Sequence, residues 1–84
     1  MKRSVQEKYN YNKSKKTAFS YGYVWGVDAY NAYQNAVWTR QRVIAEIDDY
    51  KKMAVHGKGR SRECAKGYMC GVRDKANEHK SKRR

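Results

Sequence analysis

A glycine-containing motif occurs twice in the 84 residues, as GYVWGV at 22–27 and GYMCGV at 67–72, and it restricts how this chain can fold. Residues four apart share one face of an α-helix, so a glycine pair at that spacing leaves a shallow groove that admits another backbone. A mid-helix glycine costs about 0.5–1 kcal/mol relative to alanine. A small protein offsets that cost only through close packing or ligand contact. The glycines concerned are Gly22, Gly26, Gly67 and Gly71.

Three interpretations of the repeat stay open from the sequence. In the first, which we favour, the two glycine faces pack against each other in a helical hairpin, with Tyr23 and Tyr68 beside the contact. In the second, one face receives a partner's backbone or a phosphate, because glycine permits close approach. In the third, the likeness is chance, since four of six positions are identical.

Apolar residues between positions 18 and 55 recur at steps of three and four, which is the pattern of one face of an amphipathic helix. The chain contains no proline, and no glycine lies between Gly26 and Gly57. We therefore predict a long helix over about 18–54. Such a helix would be roughly 55 Å long, beyond the usual globular range, so we expect a break near 38–41.

A second helix is predicted over about 62–78, after a basic loop with two glycines. Ser61 is a suitable N-cap, and Glu63 suits the positive end of the helix dipole. The predicted fold class is all-α: a small helical hairpin or three-helix arrangement with basic flexible termini. The apolar stripe of the second helix is formed by Ala65, Met69, Val72 and Ala76.

Residues 19–25 also fit a strand, because aromatic residues alternate there with other residues at the strand period. The aromatics of residues 21–27 are of the kind that stack bases in an RNA-recognition motif, but the leading basic residue and a small residue at Val24 are missing. The second copy of the motif, at 67–72, shows no such alternation of aromatic residues and lies in a helical context. We therefore favour helix for both copies.

The charge is concentrated at the two ends of the chain. The net charge of +12 divides into +5 over residues 1–17, zero over residues 18–55 and +7 over residues 56–84. We predict a basic mobile arm over 1–17, one small helical domain over 18–78 and a basic tail over 79–84. Such a field attracts polyanions or an acidic protein face.

The candidate binding residues are the basic side chains of the arm and of the second helix. Three of those on the helix recur at intervals of seven, which keeps them on one side, where they could follow a phosphate backbone. We predict that nucleic acid or an acidic partner is bound by Lys13, Lys15, Lys16, Lys58, Arg60, Arg62, Lys66, Arg73 and Lys80.

No pattern indicates a metal site, a cofactor or catalysis, and we expect a non-enzymatic protein. The possible ligands His56, Cys64, Cys70 and His79 have spacings that match no common zinc arrangement. On a helix the two cysteines would lie about 120° apart and roughly 9 Å along the axis, too far for a disulfide. The absence of a long apolar run or a secretory segment predicts no membrane contact and a reducing compartment, the cytoplasm.

Two functions of different classes follow from this composition. The first is a small basic protein that contacts nucleic acid or a nucleoprotein complex through its Lys/Arg-rich arms and second-helix face. The alternative is an inhibitor or adaptor of the kind that phages and mobile elements encode, for example against host defence, which binds a host protein or nucleoprotein machine and blocks it. A homodimer is compatible with either function, because the long apolar stripe exceeds what one short second helix covers.

Overall fold

The computed structural model describes residues 4–82, which form four α-helices and no strand. The predicted all-α class is confirmed, and the stretch 19–25 that also fitted a strand is helical. The helices are α1 (Val5–Lys15), α2 (Ala18–Gln34), α3 (Arg40–His56) and α4 (Gly59–Lys82).

Three of the helices begin at a hydroxyl residue that caps them. The side chains of Ser4, Thr17 and Thr39 each accept a hydrogen bond, 3.2 Å long, from the backbone N–H three residues later. Such a bond satisfies one of the free N–H groups in the first turn of a helix. These caps fix where α1, α2 and α3 start.

The long helix predicted over 18–54 is interrupted at residues 35–39, slightly before the predicted position near 38–41. Ala36 takes a left-handed backbone conformation with a φ of 61°. The backbone N–H groups of Val37 and Trp38 both donate to the carbonyl of Ala32, at 2.8 and 3.1 Å. The chain turns back here. Trp38 therefore lies beside Ala32, and Met53, near the end of α3, lies beside the start of α2.

Helices α2 and α4 are parallel and make the most extensive contact in the fold. Phe19 of α2 lies beside Gly67 of α4, and Val27 beside Gly71, so both chains advance in the same direction. This corrects the hairpin expected from the sequence, because the two helices of a hairpin are antiparallel. The reason is α3, which returns the chain before α4 begins.

The other two helices cover opposite sides of the α2–α4 pair. Ser20 of α2 bonds to Asn12 of α1, whereas Ala29 belongs to the cluster that α3 covers. Nine residues separate Ser20 from Ala29, which is about 180° around a helix. The fold therefore has three layers, with α1 and α3 on either side of α2 and α4.

The buried core residues lie mainly on α2 and α4, and α3 covers them with one buried residue, Val43. Tyr68 is fully buried, and its ring stacks on that of Tyr50 with centroids 3.9 Å apart. Ala29 and Val72 complete the buried cluster. Trp25, although it fits the apolar pattern of residues 18–55, is 50% exposed. The side chains packed around the cluster are Tyr30, Trp38, Ile47, Tyr50 and Met69.

Helix α1 lies within residues 1–17, the predicted basic mobile arm, for which no helix was predicted. Its periodicity is hidden because none of its residues is fully buried. It contacts the other helices through polar groups instead: Lys8 forms an ion pair with Asp74 at 3.3 Å, and the Tyr9 hydroxyl donates to Asp28 at 3.0 Å.

Helix α4 extends beyond the predicted 62–78 at both ends. It begins at Gly59 and ends at Lys82, so residues 79–82 of the predicted basic tail are helical. Residues 1–3 of the predicted arm and 83–84 of the predicted tail lie outside the described residues.

Candidate functional site

The glycines of α2 lie directly against the backbone of α4. A methyl group placed on Gly22 would overlap the carbonyl oxygen of Cys64, and one placed on Gly26 would overlap that of Tyr68. Because backbone atoms cannot turn aside as a side chain can, any larger residue would push the helices apart. The two glycines thus set the distance between α2 and α4.

The glycines of α4 make the matching contacts in return. A methyl group on Gly67 would overlap the carbonyl oxygen of Phe19, and one on Gly71 would overlap that of Tyr23. Each contact of an α4 glycine corresponds to one of an α2 glycine: Gly67 is 45 residues after Gly22, and its partner Phe19 is 45 residues before Cys64. The two copies of the motif therefore form a contact with pseudo-two-fold symmetry about an axis parallel to the helices.

The same symmetry relates two buried tyrosines next to the glycines. The hydroxyl of Tyr23 donates to Asp74 at 3.0 Å, and that of Tyr68 donates to Glu46 at 3.1 Å. Burial raises the pKa of both phenols above their usual 10.0, and the neighbouring carboxylates raise it further. These groups stay neutral at ordinary pH, and their hydrogen bonds link the helices.

Four of the predicted binding residues form a stripe on the solvent face of α4, and we call them the basic stripe: Arg62, Lys66, Arg73 and Lys80. All four are exposed, and at 100° per residue they fall within about 40° around the helix and extend over about 27 Å. Arg62 lies nine residues from Gly71, which is about 180° around α4. The stripe therefore points away from α2.

Nearby acids neutralise the basic stripe only in part. The Nε of Arg73 lies 3.8 Å from Asp74, which also pairs with Lys8. Glu78 is engaged by Lys75, whose ammonium lies 2.7 Å away. Within the described part of the chain, the other three stripe residues form no ion pair. Their charges are available to a partner.

The remaining predicted binding residues are exposed but lie apart from the stripe. Lys13 and Lys15 are on α1, with their ammonium groups 5.8 and 5.3 Å from the ring centres of Tyr9 and Tyr11. Lys16 ends α1 in a left-handed conformation. The other two are Lys58, in the loop before α4, and Arg60, in its first turn.

A second surface feature, which the sequence analysis missed, is a groove of about 330 Å³ between α2, α3 and the start of α4. We call it the aromatic groove. Tyr21 and Trp25 are on its α2 side, with exposures of 43% and 50%. The pattern gave no signal for it, because Trp25 fits the same apolar stripe as the core residues. The remaining side chains that we assign to the groove are Tyr50, Met53, Arg60 and Cys64.

The residues considered as metal ligands do not converge. In the part of the chain that the structure describes, no three His, Cys, Asp or Glu side chains are grouped as a metal site requires. Cys64 and Cys70 are both free and half-buried, and burial raises the pKa of the Cys64 thiol. Among residues 4–82, no helix has the length and apolar character needed to cross a bilayer.

Comparison of the chain with protein-family models, with curated proteins and with solved structures found no match. The basic stripe and the aromatic groove are therefore the features of the chain that bear on its function.

Proposed function

We propose that this protein is a non-enzymatic, basic binding protein that contacts nucleic acid or a nucleoprotein complex. The observation that supports the proposal is the alignment of Arg62, Lys66, Arg73 and Lys80 on one solvent face over about 27 Å of helix. A row of exposed cations on a rigid element suits the regular negative charge of a phosphate backbone. Three of the four lack an intramolecular ion pair among the described residues.

The overall charge supports the same class of partner. A net charge of +12 on 84 residues creates a field that draws polyanions and speeds their association. The arm residues Lys13, Lys15 and Lys16 would add sequence-independent phosphate contacts. The two free cysteines are consistent with a reducing compartment, which we propose to be the cytoplasm.

A salt series tests the proposal. Fluorescence anisotropy with labelled DNA and RNA should show binding that weakens linearly on a log–log plot as salt rises. Replacing Arg62, Lys66 and Lys80 with Gln should reduce the slope by roughly 2–3, since each lost contact contributes about 0.7–0.9.

The matched control removes the same charge from α3, by replacing the exposed residues Arg40, Lys51 and Lys52 with Gln. We expect this variant to keep the salt slope of the unmodified chain, because its cations lie off the stripe. Absence of binding to both DNA and RNA at ~50 mM salt would refute the proposal, since phosphate contacts are strong at low salt. The inhibitor or adaptor that binds an acidic protein surface would then be the hypothesis to test.

A further inference from the structure

Two aromatic side chains beside the aromatic groove are more exposed than packing requires. Tyr21 and Trp25 lie one turn apart on α2, with ring centroids 6.3 Å apart and planes inclined by 36°. Trp25 keeps half of its surface in contact with solvent. Leaving large aromatic area in water forfeits the stabilisation that burial would give. Such a pair is suited to contact with another flat ring.

The groove next to this pair carries positive charge. Arg60 contributes the only charged side chain among the described residues that form it. Asp28 and Glu46 border a neighbouring groove that shares Trp25 and Tyr50 with this one, and they accept hydrogen bonds from Tyr9 and Tyr68. A negatively charged occupant therefore meets a guanidinium and apolar rings rather than a carboxylate.

An exposed aromatic groove could bind a second copy of the chain or a polyanion with exposed rings, and the net charge favours the polyanion. A second copy would bring together two chains of +12 each, which repel. A polyanion with exposed rings satisfies both the aromatic faces and the cation. In a duplex the bases are stacked on one another, whereas in a single strand they are free to stack on protein side chains.

We infer that the aromatic groove binds single-stranded nucleic acid, with Tyr21 and Trp25 stacking on bases and Arg60 contacting the adjacent phosphate. This inference rests on the proposed function and names its substrate class. Arg60 and Arg62 are two residues apart at the start of α4. They lie about 3 Å apart along the axis but on different sides of the helix, so a strand that leaves the groove past Arg60 reaches the first cation of the basic stripe by passing around the start of α4.

The test compares a single-stranded oligonucleotide with a hairpin duplex of equal charge, by fluorescence anisotropy. Tyr21→Ala and Trp25→Ala should each weaken single-strand binding about tenfold, which is within the range for loss of one base stack, and should leave duplex binding unchanged. The salt slope should stay constant in both variants, because no charge is removed. Arg60→Gln should instead reduce the single-strand slope by about 0.7.

The matched control is Tyr11→Ala, because Tyr11 is 44% exposed and lies outside the groove. It should bind the single strand as tightly as the unmodified chain. In a Trp38→Phe background, the emission of Trp25 should be quenched by the single strand and not by the duplex. This signal reports the stacking site directly without altering Trp25.

Four results would overturn the inference, and they differ in whether the proposed function survives. Equal losses in Tyr11→Ala and Tyr21→Ala, or no loss in Trp25→Ala, would exclude base stacking in the groove while duplex binding still supported the proposed function. A dimer in sedimentation that Trp25→Ala converts to a monomer would assign the groove to self-association. Absence of all binding at ~50 mM salt would remove the proposed function and this inference together.

Discussion

Tyr23 and Tyr68 occupy matching positions 45 residues apart on the parallel helices α2 and α4, and each buried phenol donates a hydrogen bond to a carboxylate. Asp74 is the acceptor for Tyr23, and Glu46 of α3 is the acceptor for Tyr68. The two bonds link α2 to α4 and α4 to α3. Because the rings are 3% and 0% exposed, water cannot replace the carboxylates as acceptors.

The raised pKa of these phenols predicts a loss of stability at high pH. Folding favours the protonated phenol, so its contribution is complete below pH 10, the usual phenol value, and declines as the pH rises above it. Each phenol should lower the free energy of unfolding by up to about 1.4 kcal/mol per pH unit in that range. Urea unfolding at about pH 9 and about pH 11 measures the change.

Tyr68→Phe should reduce this alkaline loss, because it removes one of the buried phenols whose pKa is raised by folding. Tyr21→Phe is the control, since Tyr21 is 43% exposed. An alkaline loss that is identical in the Tyr68→Phe variant and the unmodified chain would contradict the assignment.

The glycine contact predicts a large cost for the smallest side chain. Gly26→Ala or Gly71→Ala places a methyl group against a carbonyl oxygen of the facing helix, so the backbones must separate. We expect a loss of about 3 kcal/mol or more in the free energy of unfolding, at the upper end for overpacking. Thermal or urea unfolding followed by circular dichroism measures it.

Gly59→Ala is the control for a glycine outside this contact. A methyl group there meets no atom within 4 Å, although the φ of 63° should cost about 1–2 kcal/mol by itself. If Gly26→Ala were no more destabilising than Gly59→Ala, the two backbones would not be in close contact.

The docking of α1 predicts different effects for two asparagines on the same helix. The Ser20 hydroxyl, only 2% exposed, donates to the side chain of Asn12 at 3.1 Å. Asn12→Ala removes that acceptor and leaves the Ser20 hydroxyl only its bond with the Thr17 hydroxyl, so it should destabilise by roughly 0.5–1.5 kcal/mol. Asn10→Ala gains the same helix propensity but removes only an exposed bond to Gln6. Equal stabilities of the two variants would show that α1 does not dock.

Sequence periodicity was sufficient for the helical class and for the existence of α4, but not for how the helices are arranged. The spacing of Gly22 and Gly26 shows that a backbone can approach, and it looks the same for a parallel or an antiparallel neighbour. The direction is set by residues 35–39, which turn the chain so that α3 returns it. Helix α1 escaped detection because its contacts are polar, as in the pair Lys8–Asp74.

The predicted binding residues of α4 fall on two different surfaces, the basic stripe and the aromatic groove, because of helix geometry. At intervals of seven, Lys66, Arg73 and Lys80 lie along one exposed line of α4. Arg60 and Arg62 are adjacent in the sequence pattern, yet two residues on a helix differ by about 200° in direction. Arg60 therefore turns to the aromatic groove. The exposure of Trp25 follows from α3, which packs mainly against α4 and leaves that side of α2 open.

The pseudo-two-fold contact means that this chain has the geometry of a dimer whose two halves are fused. Each half is a pair of helices, α1 with α2 and α3 with α4, and presents one glycine face to the other. Separate halves would depend on protein concentration to find each other, whereas the link at 35–39 makes their meeting intramolecular. The fold can therefore persist at concentrations at which two separate halves would dissociate.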